Sequence, residues 1–296
     1  MKKVYKICIL LMCCTFLFSF TVYAKESEGL PEEYSLDVTF GEIQDSIVSY
    51  IEHNNLSIEI GSEGYTKLLD EFLFEDLDIS ATLLEYYTDY ASHYKNVVSQ
   101  GESFDSELSL TLRNIKEKNA AFFQALKNNN TNPQVKAYSK FDVAKAQAYA
   151  KRYATSWNYV YGRFSSDCTN FASQLAVEGG IRENSEWQWN GTGMALRNWR
   201  VAQDFTEYMT LDRGYNGGLY TARADVNRVA TPGDCIAYMK RGTTEIFHVA
   251  FVQSKQNGLI YLTQHTDDFY NVKFNDRVSE EKMNGSYYIV VIDFAP

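Results

Sequence analysis

Apolar side chains recur at helical spacing through the first part of the chain and at alternate positions near its end, and that change of period divides it. Phe40, Ile43, Ile47, Val48 and Ile51 share one helical face, as do Leu83, Leu84, Tyr87, Tyr90, Ala91, Tyr94, Val97 and Val98. Ile115, Phe122, Phe123 and Leu126 form a third stripe. The stripes predict a mostly helical region over residues 25–127, with the alternating segments 36–40 and 108–112 as one or two strands mixed in. A polar run from Lys127 to Pro133 reads as a linker, set at residues 128–137.

After the linker, Phe141, Ala144, Ala148 and Tyr149 predict a helix ending near Ala154. Cys168, Phe171, Ala172 and Leu175 predict another, with Asp167 as its N-cap and Gly179 as its stop. A third is expected over residues 194–208, burying Leu196, Trp199 and Phe205. From Thr231 the period becomes two. A Pro232-Gly233-Asp234 turn leads into a strand over 235–239, followed by strands over 247–252, 259–263 and 286–294, with Asn257-Gly258 as the hairpin turn. Residues 138–296 are therefore expected to form an α+β domain with an antiparallel sheet.

Residues 1–24 differ from the rest. Lys2, Lys3 and Lys6 flank an apolar run from Ile7 to Phe20 that ends in Val22-Tyr23-Ala24, the pattern of an export signal cleaved after Ala24. The run is short for a membrane span of about 20 residues, so the mature protein is expected to be secreted or cell-wall associated, without stable membrane insertion. The full chain has a formal charge of −10, and losing three lysines with the signal makes it more acidic still. That balance disfavours nucleic acid and anionic lipid as partners.

Cys8, Cys13 and Cys14 leave with the signal, and Cys168 and Cys235 stay. Two cysteines in an exported protein allow one disulfide; the alternative is chemistry at Cys168, with Cys235 as buried core at a strand start. His53 and His93 lack metal-ligand companions and read as ordinary polar positions. No phosphate loop, dinucleotide fingerprint or zinc spacing occurs, so no cofactor or metal is expected.

Cys168 opens its helix, where unpaired first-turn N–H groups favour a thiolate; with a neighbouring imidazolium the pKa falls to roughly 3.5–7.5. The alternative is a small apolar residue on a buried helix face. A later histidine, His248, begins a strand, and His265 ends the next one. This order resembles papain-like enzymes, among them the NlpC-type and CHAP cell-wall hydrolases. More closely, Tyr149-Ala150, Asn158, Tyr161, the run from Asp167 to Gln174, Gly179-Gly180, Pro232-Gly233-Asp234 and His248-Val249-Ala250 resemble the putative amidase domain of secreted bacterial proteins, from about Tyr138 onward. The resemblance implies a papain-like α+β fold and a thiol-dependent amide hydrolase with Cys168 as nucleophile and His248 as base. Asn158 or Tyr161 would complete an oxyanion hole begun by the Cys168 N–H, beside structural roles for both.

The third catalytic residue follows from hairpin parity, because a partner for His248 must lie opposite it or two residues away. A four-residue turn sets His265 opposite His248. A two-residue turn sets Asp267 there, with His265 two positions off. A three-residue turn would set Thr266 there, subject to a bulge. His265 is the first choice and Asp267 the second. Export and thiol amidase chemistry together suggest a peptidoglycan amidase or endopeptidase, with Trp187, Trp189 and Trp199 as core or as a groove wall. A non-catalytic envelope-binding module and a papain-like acyltransferase or lipid hydrolase are the alternatives.

Overall fold

The computed structural model describes residues 29–75, 77–131, 141–190 and 196–294. Residues 1–24, where an export signal is expected, and most of the expected linker lie outside the described residues. Four long helices come first: α1 (Phe40–His53), α2 (Glu63–Phe74), α3 (Ala81–Ser99) and α4 (Leu112–Thr131). Thr39 caps α1 in a reciprocal box with Glu42, and Ser62 and Ser80 cap α2 and α3. The two alternating segments pair over a short antiparallel stretch around the Thr39–Thr111 bridge, with the Phe40 N–H donating to the Leu110 carbonyl and the Leu112 N–H to the Val38 carbonyl, before each gives way to a helix. α4 runs on to Thr131, past the expected end of the helical region.

Next come α5 (Val143–Tyr153) and α6 (Cys168–Glu178), where the apolar spacing placed helices. The single helix expected over 194–208 is instead split into α7 (Arg197–Arg200) and α8 (Ala202–Glu207), followed by a π-helical turn over Tyr208–Asp212. Val201 is extended between α7 and α8. Residues 191–195 lie outside the described residues. The strands are β1 (Asn216–Tyr220), β2 (Cys235–Lys240), β3 (Ile246–Gln256), β4 (Leu259–Gln264), β5 (Phe269–Lys273) and β6 (Tyr287–Asp293), with short helices α9 (Arg223–Val229), α10 (Phe274–Arg277) and α11 (Glu280–Gly285) between them. Together they make an antiparallel six-stranded sheet in the order β1-β6-β2-β3-β4-β5, so the fold is α+β.

The sheet is covered on both faces. On one, Phe171, Ala172 and Leu175 of α6 pack with Trp187, Trp199 and Phe205 over Ala237, Val249, Phe251 and Val290. On the other, α1 to α3 share a core with Tyr238, Phe247, Ala250, Val252 and Ile289. Buried on this scale, apolar side chains stabilise by roughly 1.5–3 kcal/mol each. α3 is buried almost all round, and its polar residues find partners: Lys240 Nζ donates to Glu85 and Thr88, Asn96 Nδ2 donates to the Ile246 carbonyl, and His93 lies between Glu107 and Glu245. His93 is thus a buried tie between helix and sheet rather than an ordinary polar position, whereas His53 is exposed.

Candidate active site

Cys168 is the first residue of α6, and its thiol is free and 2% exposed. The helix stops at Gly179 and Gly180. Gly180 has φ +99°, and a Cβ on Gly179 would overlap the Phe141 ring, so both positions require glycine. Asp167 stands at the N-cap position but makes no side-chain cap there. Its carboxylate is taken by three other donors: the Phe164 N–H at 3.0 Å, Asn170 Nδ2 at 2.9 Å and His265 Nδ1 at 2.6 Å. The first-turn N–H groups expected to occupy it are therefore left to whatever binds at the end of α6.

His265 is committed to holding that end in place. Its Nε2 donates to the Tyr153 carbonyl at 2.8 Å, and its ring stacks on Phe171 with centroids 3.9 Å apart. Both nitrogens face oxygen acceptors, an arrangement that favours the imidazolium paired with Asp167. Burial disfavours that charge, but the hydrogen bonds to Asp167 and Tyr153 and the Asp167 charge outweigh it and raise the pKa.

His248 lies on β3 and points to the opposite face of the sheet from Val249 and Phe251. Its ring meets Phe74 of α2 and Tyr238 of β2 edge-on, and it is fully buried. Its Nε2 donates to Gln264 Oε1 at 2.7 Å. Gln264 Nε2 donates in turn to the Thr266 carbonyl at 2.9 Å, which fixes the amide orientation. The Nδ1 of His248 is therefore bare, and it has no partner. Burial, and then the positive charge of Lys95, push the His248 pKa down to about 4, so the imidazole is neutral near pH 7.

Among the described residues no hydrogen bond joins Cys168 to His248. The nearest polar partner of the thiol is the Thr169 hydroxyl at 3.6 Å. What connects the two is Thr266: its hydroxyl accepts from the Asp167 N–H at 2.9 Å, and its carbonyl holds Gln264.

The hairpin count placed His265 or Asp267 beside His248, but the structure seats Gln264 there. The turn is the two-residue one, with Gln256 paired to Leu259 and both Asn257 and Gly258 at positive φ. A β-bulge at Gln253 then shifts the pairing by one, so that Val252 faces Leu262. Carried along the strands, this sets Ala250 against Gln264, and every later residue changes face. Asp267 sits in the following turn at φ +57° and pairs with Arg277. Gln264 was missed because nothing in the polar run Gln253-Ser254-Lys255 announces a bulge.

The remaining candidates are engaged elsewhere. Asn158 Nδ2 donates to the Tyr149 hydroxyl at 2.9 Å, and Tyr161 stacks on Trp199. Trp187 and Trp199 are fully buried core, with Trp189 packed at their edge. Cys235 is fully buried on β2, where burial and the Asp234 charge raise its pKa. Among the described residues no group of histidine, cysteine and carboxylate side chains is arranged to hold a metal ion. No helix among them is long and apolar enough to cross a membrane.

A family model described as a putative amidase domain matches residues 140–290, just over half of the chain. The chain is also similar to an uncharacterized protein, YhbB, of Bacillus subtilis strain 168, with 29% identity over 125 residues. That match spans 40% of this chain and 39% of the relative. No solved structure matches the chain.

Proposed function

The chain belongs to the putative amidase domain family, which points to a hydrolase of C–N bonds, and from that premise we propose an exported, papain-like cysteine amidase or endopeptidase that acts on peptidoglycan. Cys168 is the nucleophile, His248 the base and Gln264 the group that orients the base. The observation that carries this reading is the His248 ring: Gln264 holds Nε2–H and leaves a bare, unpartnered Nδ1. That is the tautomer a base needs.

In the reaction His248 Nδ1 takes the thiol proton and the thiolate attacks the scissile carbonyl, forming a C–S bond. The C–N bond then breaks, with the proton passing from His248 to the leaving amine. Water, deprotonated by His248, cleaves the thioester and returns the thiol. The unpaired first-turn N–H groups of α6 favour the developing oxyanion. Sγ and Nδ1 must come within about 3–3.5 Å for the first step; with His248 on the sheet face opposite α6, that step requires a rearrangement larger than a side-chain rotation.

The basic and apolar pattern of residues 1–24, expected to act as an export signal, supports envelope work. The complete burial of His248 favours a second reading, a non-catalytic envelope-binding module. Purified sacculi incubated with wild type, Cys168→Ala and His248→Ala separate the two. Soluble fragments released only by wild type are expected; equal release by Cys168→Ala would exclude the thiol mechanism, and no release by wild type alongside retained sacculus binding would favour the binding module. Mass spectrometry of the fragments identifies the bond cut.

A further inference from the structure

A cleft of about 970 Å³ lies between α2 and the loops on either side of the candidate site. One wall is the α2 face carrying Thr66, Asp70 and Phe74. The other includes Trp157, Asp167 and Thr266, so the cleft reaches the residue before Cys168 and the threonine that holds Gln264. His248 itself does not line it. Between the cleft and His248 stands Phe74.

Phe74 is the last residue of α2. Its ring lines the cleft and also packs on His248 at 5.2 Å, Phe247 at 6.0 Å and Tyr238 at 6.2 Å between ring centroids. The backbone on either side is tied down, because the Tyr287 hydroxyl donates to the Leu73 carbonyl and Lys282 Nζ donates to the Glu75 carbonyl at 2.6 Å. The α2 end is thus pinned at both neighbours of Phe74, while the side chain is held by apolar and ring packing. A half-buried Asp70–Lys95 pair anchors the preceding turn, and Lys95 Nζ sits 5.9 Å from the Phe74 ring centroid. His248 is fully buried and does not line the cleft, and Phe74 is a cleft-lining ring that also packs against it.

We propose that Phe74 is a gate between the cleft and His248, and that its side chain must swing aside for substrate held against α2 to be processed. The proposal rests on the reading of His248 as the base. Helix α2 is then part of the substrate site, and the arrangement described is the closed state.

Access to His248 can be read without catalysis. Diethylpyrocarbonate acylates a bare imidazole nitrogen, and peptide mapping scores each histidine. At pH 7 the full-length mature wild type should be modified at exposed His53 and protected at His248. In Phe74→Ala, and in the milder Phe74→Leu, His248 should react at least about tenfold faster while His53 and buried His93 keep their wild-type rates. A general loosening of the fold would expose His93 as well and would overturn the gate. So would a cooperatively folding Phe74→Leu with His248 still protected. The catalytic reading is tested apart, by the Cys168 dependence of sacculus hydrolysis. Fast His248 modification in the Phe74 variants together with Cys168-independent hydrolysis would retain the access route and remove the reading it serves.

Discussion

Gln264 Oε1 accepts a 2.7 Å hydrogen bond from His248 Nε2, and both side chains are buried. A single bulge residue, Gln253, is what brings them together. Without it the two-residue turn would place the histidine at 265, rather than the glutamine at 264, on the His248 face. The bulge separates their roles, since Gln264 sets a tautomer while His265 holds the helix that presents Cys168.

Gln264→Ala should therefore slow hydrolysis while the protein still folds. One neutral hydrogen bond is worth about 0.5–1.5 kcal/mol, which corresponds to a loss of up to about tenfold in kcat, more if the freed ring takes the other tautomer. Gln264→Glu keeps an acceptor and should retain more activity than Gln264→Ala. Equal activity of wild type and Gln264→Ala in a steady-state assay on solubilised substrate would remove the orienting role.

Cys168 and Cys235 should differ in reactivity. Cys235 is sealed in the sheet with its thiol pKa raised by burial, and Cys168 lies at a helix N-terminus. Iodoacetamide should modify Cys168 first in the native protein and reach Cys235 only on unfolding. Both thiols are free in the structure, so non-reducing peptide mapping should find no bridge between them; equal alkylation rates would argue against a special environment at Cys168.

The elements legible in the sequence were those with an unbroken apolar period: α1, α3, α4, α5, α6 and strands β2, β3, β4 and β6. β1 escaped because Gly217-Gly218 interrupts any alternation, and β5 because its residues are only partly buried. Cys168 and His248, the proposed nucleophile and base, follow from local motifs. The role of Gln264 depends on a register shift that polar residues conceal. His93 was misjudged for a related reason, since its carboxylates come from Glu107 and Glu245, the second 152 residues away and invisible to local spacing.

That network yields a stability prediction. His93 donates to Glu245 at 3.0 Å and to Glu107 at 3.1 Å and stacks on Phe40, tying α3 to the start of β3. His93→Ala would leave a buried carboxylate without its counter-charge, and removing one partner of a buried pair costs about 3–5 kcal/mol. Urea unfolding should show a loss of that order. A midpoint unchanged from wild type would mean that the network contributes no net stability.

His265 makes the pH dependence of stability testable. Its folded pKa lies above the ordinary value of about 6.5, despite burial, because of Asp167 and the Tyr153 carbonyl. A group whose pKa is raised on folding binds more protons in the native state over that interval, so its contribution is complete below about pH 6.5 and is lost as pH rises through the folded pKa. His265→Gln has no such titration, although it loses the ion pair at every pH. The melting temperature of wild type should therefore exceed that of His265→Gln most at pH 6 and below, and the gap should shrink as pH rises. Subtracting one curve from the other cancels His93 and His248, which titrate in both proteins. A gap that stays constant from pH 5.5 to pH 9 would show that His265 holds Asp167 as a neutral ring, and the imidazolium assignment would have to be withdrawn.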